Sequence, residues 1–451
     1  EIIWNSTTDN SGNYYVTGVF NSSSNPYGLP YTVGNNNDVF VAKYNASGTL
    51  LWVKPIFGLG NDKVTDLSVN AIGDVYVSGS FQNTLQVGTT TLTSNGDEDL
   101  FVAKLDNNGD LVWAKSFGGS ETESINAMHI DASDAIYITG GFNSSSLVMD
   151  AITLTSGGPK DFFIAKINNL GDVVWAKSAG GIYSEEGTAI KVDNLGNVYV
   201  GGSFISNTIT FGTHTLTHTF PLGGGDNFLV KYNATTGAEQ WAQHLGGTSA
   251  DYTSAMAVDP DGDVLIALRT FSSTITVGSN VYTNYGSEDF ILVKYTSFGA
   301  IDWSAQFGGS NIDIVTDIEI DSDGSIYLSG DFGSPNLVFG STTLSASGPR
   351  DIFLAKLSEA GVPQYAISSA GTGTKWSTSL TLEPITNNPY VAGYFIGDFD
   401  MGASSFSATS IDFFMLKFED VPMSVSFTQF NAKQINTNNA ILNWATASET
   451  N

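Results

Sequence analysis

The sequence contains no cysteine and only 12 prolines, and its basic residues are few, with 17 Lys and Arg against 45 Asp and Glu. Without cysteine, disulfide scaffolds, thiolate zinc sites and cysteine nucleophiles are excluded. The formal net charge of -28 repels phosphate backbones and anionic lipids, so we expect no nucleic-acid partner. No apolar run approaches the roughly 20 residues that cross a bilayer, and Glu1 opens no basic, apolar signal segment. We therefore expect no membrane insertion.

The composition is that of a folded chain. Hydrophobic residues make up 41% of the 451 residues and aromatic residues 12%, which is too rich for a disordered protein. The length exceeds that of a usual single domain, so several domains or one repeat array are expected.

A seven-residue stretch recurs along almost the whole chain. Its first copy is Asp38–Tyr44, with the sequence DVFVAKY, and each copy begins with Asp: Asp38, Asp99, Asp161, Asp226, Asp289, Asp351 and Asp412. Successive copies are 61, 62, 65, 63, 62 and 61 residues apart. A glycine pair, an acid and a strand such as Tyr327–Phe332 recur with the same period. The repeat therefore has seven copies.

Each repeat contains about four short runs rich in Val, Ile, Tyr, Phe and Trp, separated by Asn-Gly, Asp-Gly and Gly-Gly turns. This pattern is typical of antiparallel strands joined by hairpins, and no apolar period of 3.6 residues indicates helix. The sequence therefore predicts an all-β fold, a seven-bladed β-propeller of four-stranded antiparallel sheets. A linear β-solenoid is the alternative, but its coils are usually shorter.

The repeat also suggests how the ring closes. Glu1 occupies the acidic position that Asp62 takes in the next copy, which we interpret as a chain that opens in mid-blade. We predict that Asp412–Phe418 pairs with strands of residues 1–37 in a composite seventh blade, because joining both termini in one sheet removes exposed edges. We also expect the natural protein to continue upstream and supply the Trp-bearing strand of that blade. The propeller would span residues 1–420.

The repeat resembles a known bacterial family. Over residues 1–418 the pattern Gly-Gly-x-x-x-acid, then Val/Ile-Asp-x-x-Gly-x-x-Tyr-Val-x-Gly, is similar to the SBBP-type β-propeller repeat. Residues 421–451, with Val425–Lys433 and Ala440–Asn451, resemble the truncated start of a fibronectin type III-like β domain, as in Bacteroidota proteins exported by type IX secretion. The resemblance implies an extracellular or cell-surface bacterial protein that contacts secretion machinery, and it implies no catalytic residues.

Two residue types recur in the repeats and have two interpretations each. The lysines could form a cationic ring, or each could pair with a recurring acid such as the Asp62-type residue; a partly buried Lys needs such a partner. The tryptophans could stack on sugars, or dock against the adjacent blade. We favour the structural interpretation for both sets: Lys43, Lys104, Lys166, Lys231, Lys294, Lys356 and Lys417, and Trp52, Trp113, Trp175, Trp241 and Trp303.

No cofactor is predicted. The segments Asp259–Asp263 and Asp321–Gly324 invite a calcium interpretation, but the glycine and the closing glutamate of an EF-type loop are not in place, so hairpin turns are favoured. Calcium elsewhere among the acidic loops is left open.

The connection between one repeat's Phe and the next repeat's Asp varies in length and is longest at Ile205–Gly225. Because loops tolerate change and carry recognition, we predict a binding surface there that includes His214, His218 and Phe220. His214 and His218 lie four residues apart in an alternating stretch, a spacing compatible with a metal pair, although polar strand residues explain them better.

The leading hypothesis is a non-enzymatic secreted or cell-surface scaffold or adhesion module that binds a protein or glycan partner, since a repeat array offers a broad rigid face. One alternative is a carbohydrate-active enzyme or lectin that uses the mouth of the central channel. Another is an export cargo or a subunit of a surface filament. Fold alone does not choose among them; an enzyme requires unrepeated acids or histidines that converge at one channel mouth.

Overall fold

The structure is a computed structural model that describes residues 2–20, 37–220, 224–384, 386–402 and 404–418, and the backbone of 430–436 and 439–444. All described secondary structure is β, in 39 strands. Within the described ranges no helix has the length and hydropathy to span a bilayer.

The first four blades follow one another along the chain. Blade 1 contains β1 (Ile2–Thr8), β2 (Tyr14–Phe20), β3 (Asp38–Tyr44) and β4 (Leu50–Leu59). Blade 2 contains β5 (Lys63–Val69), β6 (Val75–Phe81), β9 (Asp99–Leu105) and β10 (Leu111–Phe117). The hairpin of β7 (Thr84–Val87) and β8 (Thr90–Thr93), which lies between β6 and β9 in the chain, pairs with β4 and extends the sheet of blade 1. Blade 3 contains β11 (Glu123–Ile130), β12 (Ile136–Phe142), the hairpin β13 (Ser146–Met149) and β14 (Ile152–Thr155), then β15 (Asp161–Ile167) and β16 (Val173–Ala179). Blade 4 contains β17 (Glu185–Val192), β18 (Asn197–Phe204), the hairpin β19 (Thr208–Phe211) and β20 (His214–Thr217), then β21 (Asp226–Asn233) and β22 (Glu239–Leu245).

The remaining blades continue the order. Blade 5 contains β23 (Asp251–Val258), β24 (Val264–Thr270), the hairpin β25 (Thr274–Val277) and β26 (Asn280–Thr283), then β27 (Asp289–Tyr295) and β28 (Ile301–Phe307). Blade 6 contains β29 (Asp313–Ile320), β30 (Ile326–Phe332), the hairpin β31 (Leu337–Phe339) and β32 (Thr342–Leu344), then β33 (Asp351–Leu357) and β34 (Pro363–Ser368). Blade 7 contains β35 (Thr374–Leu382), β36 (Pro389–Met401) and β37 (Ser404–Lys417). Beyond it, β38 (Phe430–Asn436) and β39 (Asn439–Trp444) form an antiparallel hairpin.

These blades form the predicted seven-bladed β-propeller. Six blades have four antiparallel main strands each, and blade 7 has three described strands. The first strand of every blade contacts the first strand of the next, and β35 contacts β1, so these seven strands form the innermost ring. The alternating side chains of each blade pack on its neighbours, and the hydrophobic clusters combine residues from adjacent blades, such as Val39 and Val41 with Val75 and Val77.

The predicted composite seventh blade is wrong. Tyr14–Phe20 pairs along its whole length with Asp38–Tyr44, which in turn pairs with the Trp52 strand, so blade 1 fills its own sheet. A tight turn after Tyr44 joins the third and fourth strands. The strands of this sheet lie in the order β1-β2-β3-β4, so the first blade begins with β1 rather than in mid-blade. Among the described residues, the Asp412–Phe418 segment pairs only with β36.

The ring closes instead by packing between blades 1 and 7. The rings of Tyr14 and Tyr390 stack with centroids 5.4 Å apart. The hydroxyls of Ser6 and Ser379 lie 2.5 Å apart, and the Thr8 hydroxyl donates to the Leu382 carbonyl at 3.1 Å. The innermost strands of the two blades are thus joined by side chains and not by a shared ladder.

Each of five tryptophans locks its blade to the next. The indole N–H donates to a backbone carbonyl in the following blade at 3.0 to 3.2 Å. A glycine with positive φ lies against each ring, where a Cβ would come within 2.8 to 3.1 Å of the indole. The repeated Trp and the repeated turn glycine are therefore two halves of one contact: Trp52–Gly109, Trp113–Gly171, Trp175–Gly237, Trp241–Gly299 and Trp303–Gly361.

Every innermost strand contains one β-bulge at the same repeat position. The bulged residues are Trp4, Thr65, Asn126, Thr188, Ser254, Thr316 and Thr378. A bulge re-aims side chains and bends its strand, and all seven bulged residues line the central channel. Several also donate to the next blade, as Thr65 does to the Ile125 carbonyl at 2.8 Å.

Candidate functional site

The central channel holds a cavity of about 430 Å³ lined by all seven innermost strands. Twelve of the 27 lining residues are Thr, Ser or Ala, and the lining also includes five ionisable side chains and Trp4. The five ionisable residues occupy two repeat positions, neither of which is ionisable in all seven blades: Asp66 and Asp317 directly follow the bulge, and His129, Lys191 and Glu319 lie three residues after it. Because chemistry is needed once per molecule while packing recurs in every blade, these residues are functional candidates.

The two channel aspartates join neighbouring blades. Asp66 accepts hydrogen bonds from the Met128 backbone N–H and the Asn5 amide, both at 2.8 Å. Asp317 accepts one from the Leu380 backbone N–H at 2.8 Å. Both acceptors thereby satisfy an N–H that lies just past the bulge of the next innermost strand. Burial raises the pKa of Asp66 to about 6 and also raises the pKa of Asp317.

The channel also contains an ion pair that spans a whole blade. Lys191 of blade 4 lies 3.4 Å from the carboxylate of Glu319 in blade 6. Burial alone would lower the pKa of Lys191, but the charges of Glu319 and Asp317 outweigh burial and raise it. Burial and the Lys191 charge lower the pKa of His129 to about 3, so its imidazole is neutral at pH 7. A protonated lysine is no nucleophile, and the two aspartates are held as acceptors.

One mouth of the channel, where the innermost strands begin, is lined differently on its two sides. On blades 2 to 4 the lining consists of ion pairs, with Lys63 and Glu98 at 2.7 Å and Lys160 and Glu186 at 2.5 Å. On blades 5 to 7 the same repeat positions carry Tyr252 and Glu288, Ile314 and Arg350, and Trp376 and Ile411, and further aromatic and arginine side chains lie beside them. We call this second side the mouth arc: Tyr252, Arg269, Phe271, Glu288, Asp331, Arg350, Trp376 and Tyr394.

Both arginines of the chain lie in the mouth arc. Arg350 donates to Asp331 at 3.3 Å, and Arg269 pairs with Glu288. The acids are buried, with side chains 2% and 3% exposed, whereas Arg350 and Arg269 are 21% and 27% exposed. The guanidinium groups therefore form the outer, solvent-accessible layer, and the carboxylates lie beneath them.

The aromatic residues of the arc form two pairs. Trp376 and Tyr394 stack with centroids 4.9 Å apart and an interplanar angle of 23°. Tyr252 and Phe271 lie 6.1 Å apart, and the Arg269 guanidinium is 5.3 Å from both ring centroids. At the Tyr252 position blade 3 has Ser124, so the fold itself does not require an aromatic ring there.

Burial is the main cause of the raised pKa values of Asp331 and Tyr394 in the arc. It raises the pKa of Asp331 to about 7, although the Ser377 backbone N–H donates to this carboxylate at 2.6 Å. Burial and then the charge of Asp331 raise the pKa of Tyr394, so its phenol stays protonated. The arc therefore offers hydrogen-bond donors and flat rings, and its described residues include no activated nucleophile.

A buried lysine lies directly below the arc. Lys375 takes the repeat position of Glu123 and is hydrogen-bonded to Asp351 at 2.6 Å, with neither side chain exposed. At the equivalent junction of blades 2 and 3, Glu123 faces a second acid, Asp99. Burial, and to a lesser extent the charge of Asp99, raise the pKa of Glu123. In the arc and directly below it, Arg269, Arg350 and Lys375 thus match three buried acids in a chain whose net charge is -28.

The seven repeated lysines lie far from this mouth. Six have their ammonium 4.7 to 5.1 Å from the ring of the repeated Tyr of strand two. The acids near them belong to the turns after the innermost strands, as with Lys104 and Asp74 at 2.9 Å or Lys294 and Asp259 at 2.8 Å. The expected pairing with the Asp62-type acids is wrong, because those acids lie at the opposite strand ends.

At the predicted loop site, the structure brings His218 together with His244 and Asp226 and not with His214. His214 lies in β20 and is half-buried, while His218 follows the strand, is 4% exposed and hydrogen-bonds the Gly224 carbonyl at 2.6 Å. His244, which the sequence did not single out, donates to Asp226 at 2.7 Å beside His218. Phe220 is half-exposed. His214 does not join this cluster, so the proposed spacing for a metal pair is not realised.

The acidic turns considered for calcium are closed by their own backbone. Asp259 accepts from the backbone N–H groups of Asp261 and Asp263 at 3.0 and 2.9 Å, and Asp321 does the same in blade 6. Across the described part of the chain, no group of three or more His, Asp or Glu side chains could hold a metal ion.

No family model matches the chain. The chain is similar to an uncharacterized WD repeat-containing protein of Acanthamoeba polyphaga mimivirus, with 23% identity over 89% of this chain and 35% of that protein. It is also similar to the regulatory protein FlaEY of Caulobacter vibrioides, with 26% identity over 67% of this chain and 32% of that protein. The chain thus spans about a third of the length of these curated relatives.

Similar solved structures include enzymes and WD40 proteins. An ulvan lyase shares 10% identity and a TM-score of 0.48 over 93% of this chain and 94% of its own. The Pan2 WD40 domain of Neurospora crassa shares 8% identity and a TM-score of 0.46 over 86% and 85%. The β-propeller domain of the Trilobed protease from Pyrococcus furiosus shares 8% identity and a TM-score of 0.45 over 93% and 97%. At such identities the likeness concerns the fold alone, so these neighbours do not distinguish an enzyme from a binding protein.

Proposed function

We propose that the chain is a non-enzymatic binding module of a secreted or cell-surface bacterial scaffold or adhesion protein, and that it binds a glycan at the mouth arc. One observation carries the proposal: the arc places two aromatic pairs and both arginines at one channel mouth of an otherwise regular, anionic ring. The surface location rests on the resemblance to SBBP-type repeats and type IX-secreted proteins described above.

The chemistry of the arc suits a sugar ring. Flat aromatic faces bind the apolar C–H face of a sugar through burial and dispersion, while guanidinium N–H groups donate to its oxygens. The half-buried rings of Trp376 and Tyr394 are held by stacking, so little side-chain freedom is lost on binding. The ring of blades beneath them is closed on all sides, which gives the arc a rigid support.

The proposal is tested on an immobilised glycan panel with purified wild-type protein, Trp376→Ala and Phe298→Ala. Phe298 is the matched control, because it is 89% exposed in a turn at the opposite ends of the strands. We expect Trp376→Ala to lower glycan binding at least tenfold and Phe298→Ala to leave it within twofold. Equal binding by all three proteins, or no glycan binding by the wild type, would contradict the proposal.

A carbohydrate-active enzyme is the second candidate, and one observation favours it. Asp317 and Glu319 place two carboxyl groups of one innermost strand in the channel, and burial raises the pKa of Asp317, as suits a general acid. Incubation with the polysaccharides that the panel identifies, followed by size analysis of the products, separates the two functions. Shortening of the polysaccharide that Asp317→Asn abolishes would establish the enzyme and overturn the binding-only function.

A further inference from the structure

The mouth arc has a charge arrangement that goes beyond general sugar binding. The selectivity of the arc for one class of glycan, which rests on the proposed function, is inferred from its charged side chains. Three features carry it: the identity of the cations, their layering over buried acids, and the contrast with the opposite side of the same mouth.

The cations of the arc are arginines, although lysine is the cation everywhere else in the chain. A guanidinium presents five N–H donors in a planar fork that matches a carboxylate or sulfate oxygen pair, whereas an ammonium is a point charge. Arg350 donates to Asp331 through Nη1 at 3.3 Å, which leaves most of its fork for a ligand.

The layering places positive charge outermost. Glu288 and Asp331 are almost fully buried below Arg269 and Arg350, whose side chains keep about a quarter of their surface exposed. A ligand at the surface therefore meets the guanidinium groups before it meets the carboxylates, and the nearer charge dominates. The burial that raises the pKa of Asp331 to about 7 further weakens its offset of Arg350 near neutral pH.

The opposite side of the mouth provides an internal comparison. Lys160 stands directly before Asp161, as Arg350 stands directly before Asp351. Lys160, however, is bound at 2.5 Å to Glu186, whose side chain is 35% exposed, so that acid shares the surface with its cation. Lys63, on that same side, is 61% exposed over Glu98, which is 6% exposed. The two sides therefore differ in the type of cation and in the exposed Glu186, while a cation over a buried acid occurs on both.

We propose that the mouth arc is a subsite for anionic saccharides, in which Arg350 and Arg269 bind the carboxylate or sulfate of the sugar and the two aromatic pairs bind its ring faces. The rest of the surface of the chain carries a large excess of acids and repels such a ligand. Binding is therefore confined to the arc and weakens as salt screens the charges.

The test measures affinity by isothermal titration calorimetry with three probes: an oligogalacturonate, a sulfated galactan oligomer and a neutral galacto-oligosaccharide of equal length. We expect the wild type to bind at least one anionic probe at least tenfold more tightly than the neutral one. Loss of one charge-assisted contact in Arg350→Gln should weaken anionic binding about tenfold or more. The matched control Lys160→Gln should change it by less than twofold.

A second variant, Asp331→Asn, should change the affinity for anionic probes in the opposite direction. The amide still accepts the Ser377 N–H but no longer offsets Arg350, so anionic binding should tighten by about two- to fivefold. A merely structural role of the pair predicts weaker binding in both Arg350→Gln and Asp331→Asn. Circular dichroism of each variant confirms folding before titration.

The outcomes separate this inference from the proposed function. Equal affinity for neutral and anionic probes, with loss in Trp376→Ala, would overturn the anionic subsite and leave glycan binding in place. Weaker binding of anionic probes in Asp331→Asn would also overturn it. Absence of binding to every glycan in the panel would overturn both.

Discussion

The buried ion pair at the junction of blades 6 and 7 gives the sharpest stability prediction. In Lys375→Met the side chain keeps its length and loses its charge, and Asp351 loses its ammonium partner at 2.6 Å. Both side chains are fully buried, and removal of one partner from such a pair costs about 3–5 kcal/mol. The Ser369 hydroxyl still donates to Asp351 at 3.0 Å, so we expect a loss at the lower end, about 3 kcal/mol.

Urea unfolding followed by tryptophan fluorescence measures the change, with an unchanged m-value as the condition for comparing midpoints. The control is Lys54→Met, whose partner Asp110 is 73% exposed; such surface pairs contribute about 0–1 kcal/mol. The double variant Lys375→Met with Asp351→Asn should recover at least half of the loss, because no uncompensated charge remains. A loss below about 1 kcal/mol in Lys375→Met would refute the reasoning.

Three further predictions concern the repeat contacts and the channel. Trp175→Phe keeps a ring against Gly237 but removes the hydrogen bond to the Ala234 carbonyl, and should cost about 1 kcal/mol in urea unfolding; no loss would show that the indole N–H is dispensable. Gly180→Ala places a Cβ 2.1 Å from the Asp161 carboxyl carbon and should lower the unfolding midpoint strongly, whereas wild-type stability would contradict the tight approach. Burial raises the pKa of Asp66 to about 6 in the folded chain, above about 3.9 when unfolded, so the folded state binds the proton more tightly and loses stability as pH rises from 4 to 6. Asp66→Asn should flatten that decline in a pH series of unfolding midpoints, and an unchanged slope would contradict the assignment.

Much of the fold follows from the sequence because every blade repeats the same local signals. The Asp38-type strand and the Trp52-type strand are joined by a short glycine turn, and the structure pairs them as a hairpin in six blades. The same turn argues against the composite blade, because it pairs Asp38–Tyr44 with the Trp52 strand and so completes blade 1 without residues after Asp412. The general preference for covered edges, on which the composite blade rested, does not override this local signal.

The candidate site was harder to predict. The mouth arc occupies repeat positions that vary, and Ser124, Tyr252 and Trp376 share one of them, so the variation itself was visible in the sequence. Which varying positions face the channel depends on the bulges in the innermost strands. Thr or Ser occupies five of the seven bulges, but Trp4 and Asn126 occupy the other two, and Thr and Ser are also common elsewhere in the strands. Loop length pointed instead to Ile205–Gly225, whose role as a binding surface stays a prediction.

Hydrogen exchange of backbone amides in the presence and absence of the best glycan from the panel tests the central claim most directly. The account predicts slower exchange at the beginnings of β23 and β35 and at residues 269–271 and 350–351, with no change at the turn that holds Phe298. Protection confined to residues 205–220, or spread evenly over all seven blades, would contradict it.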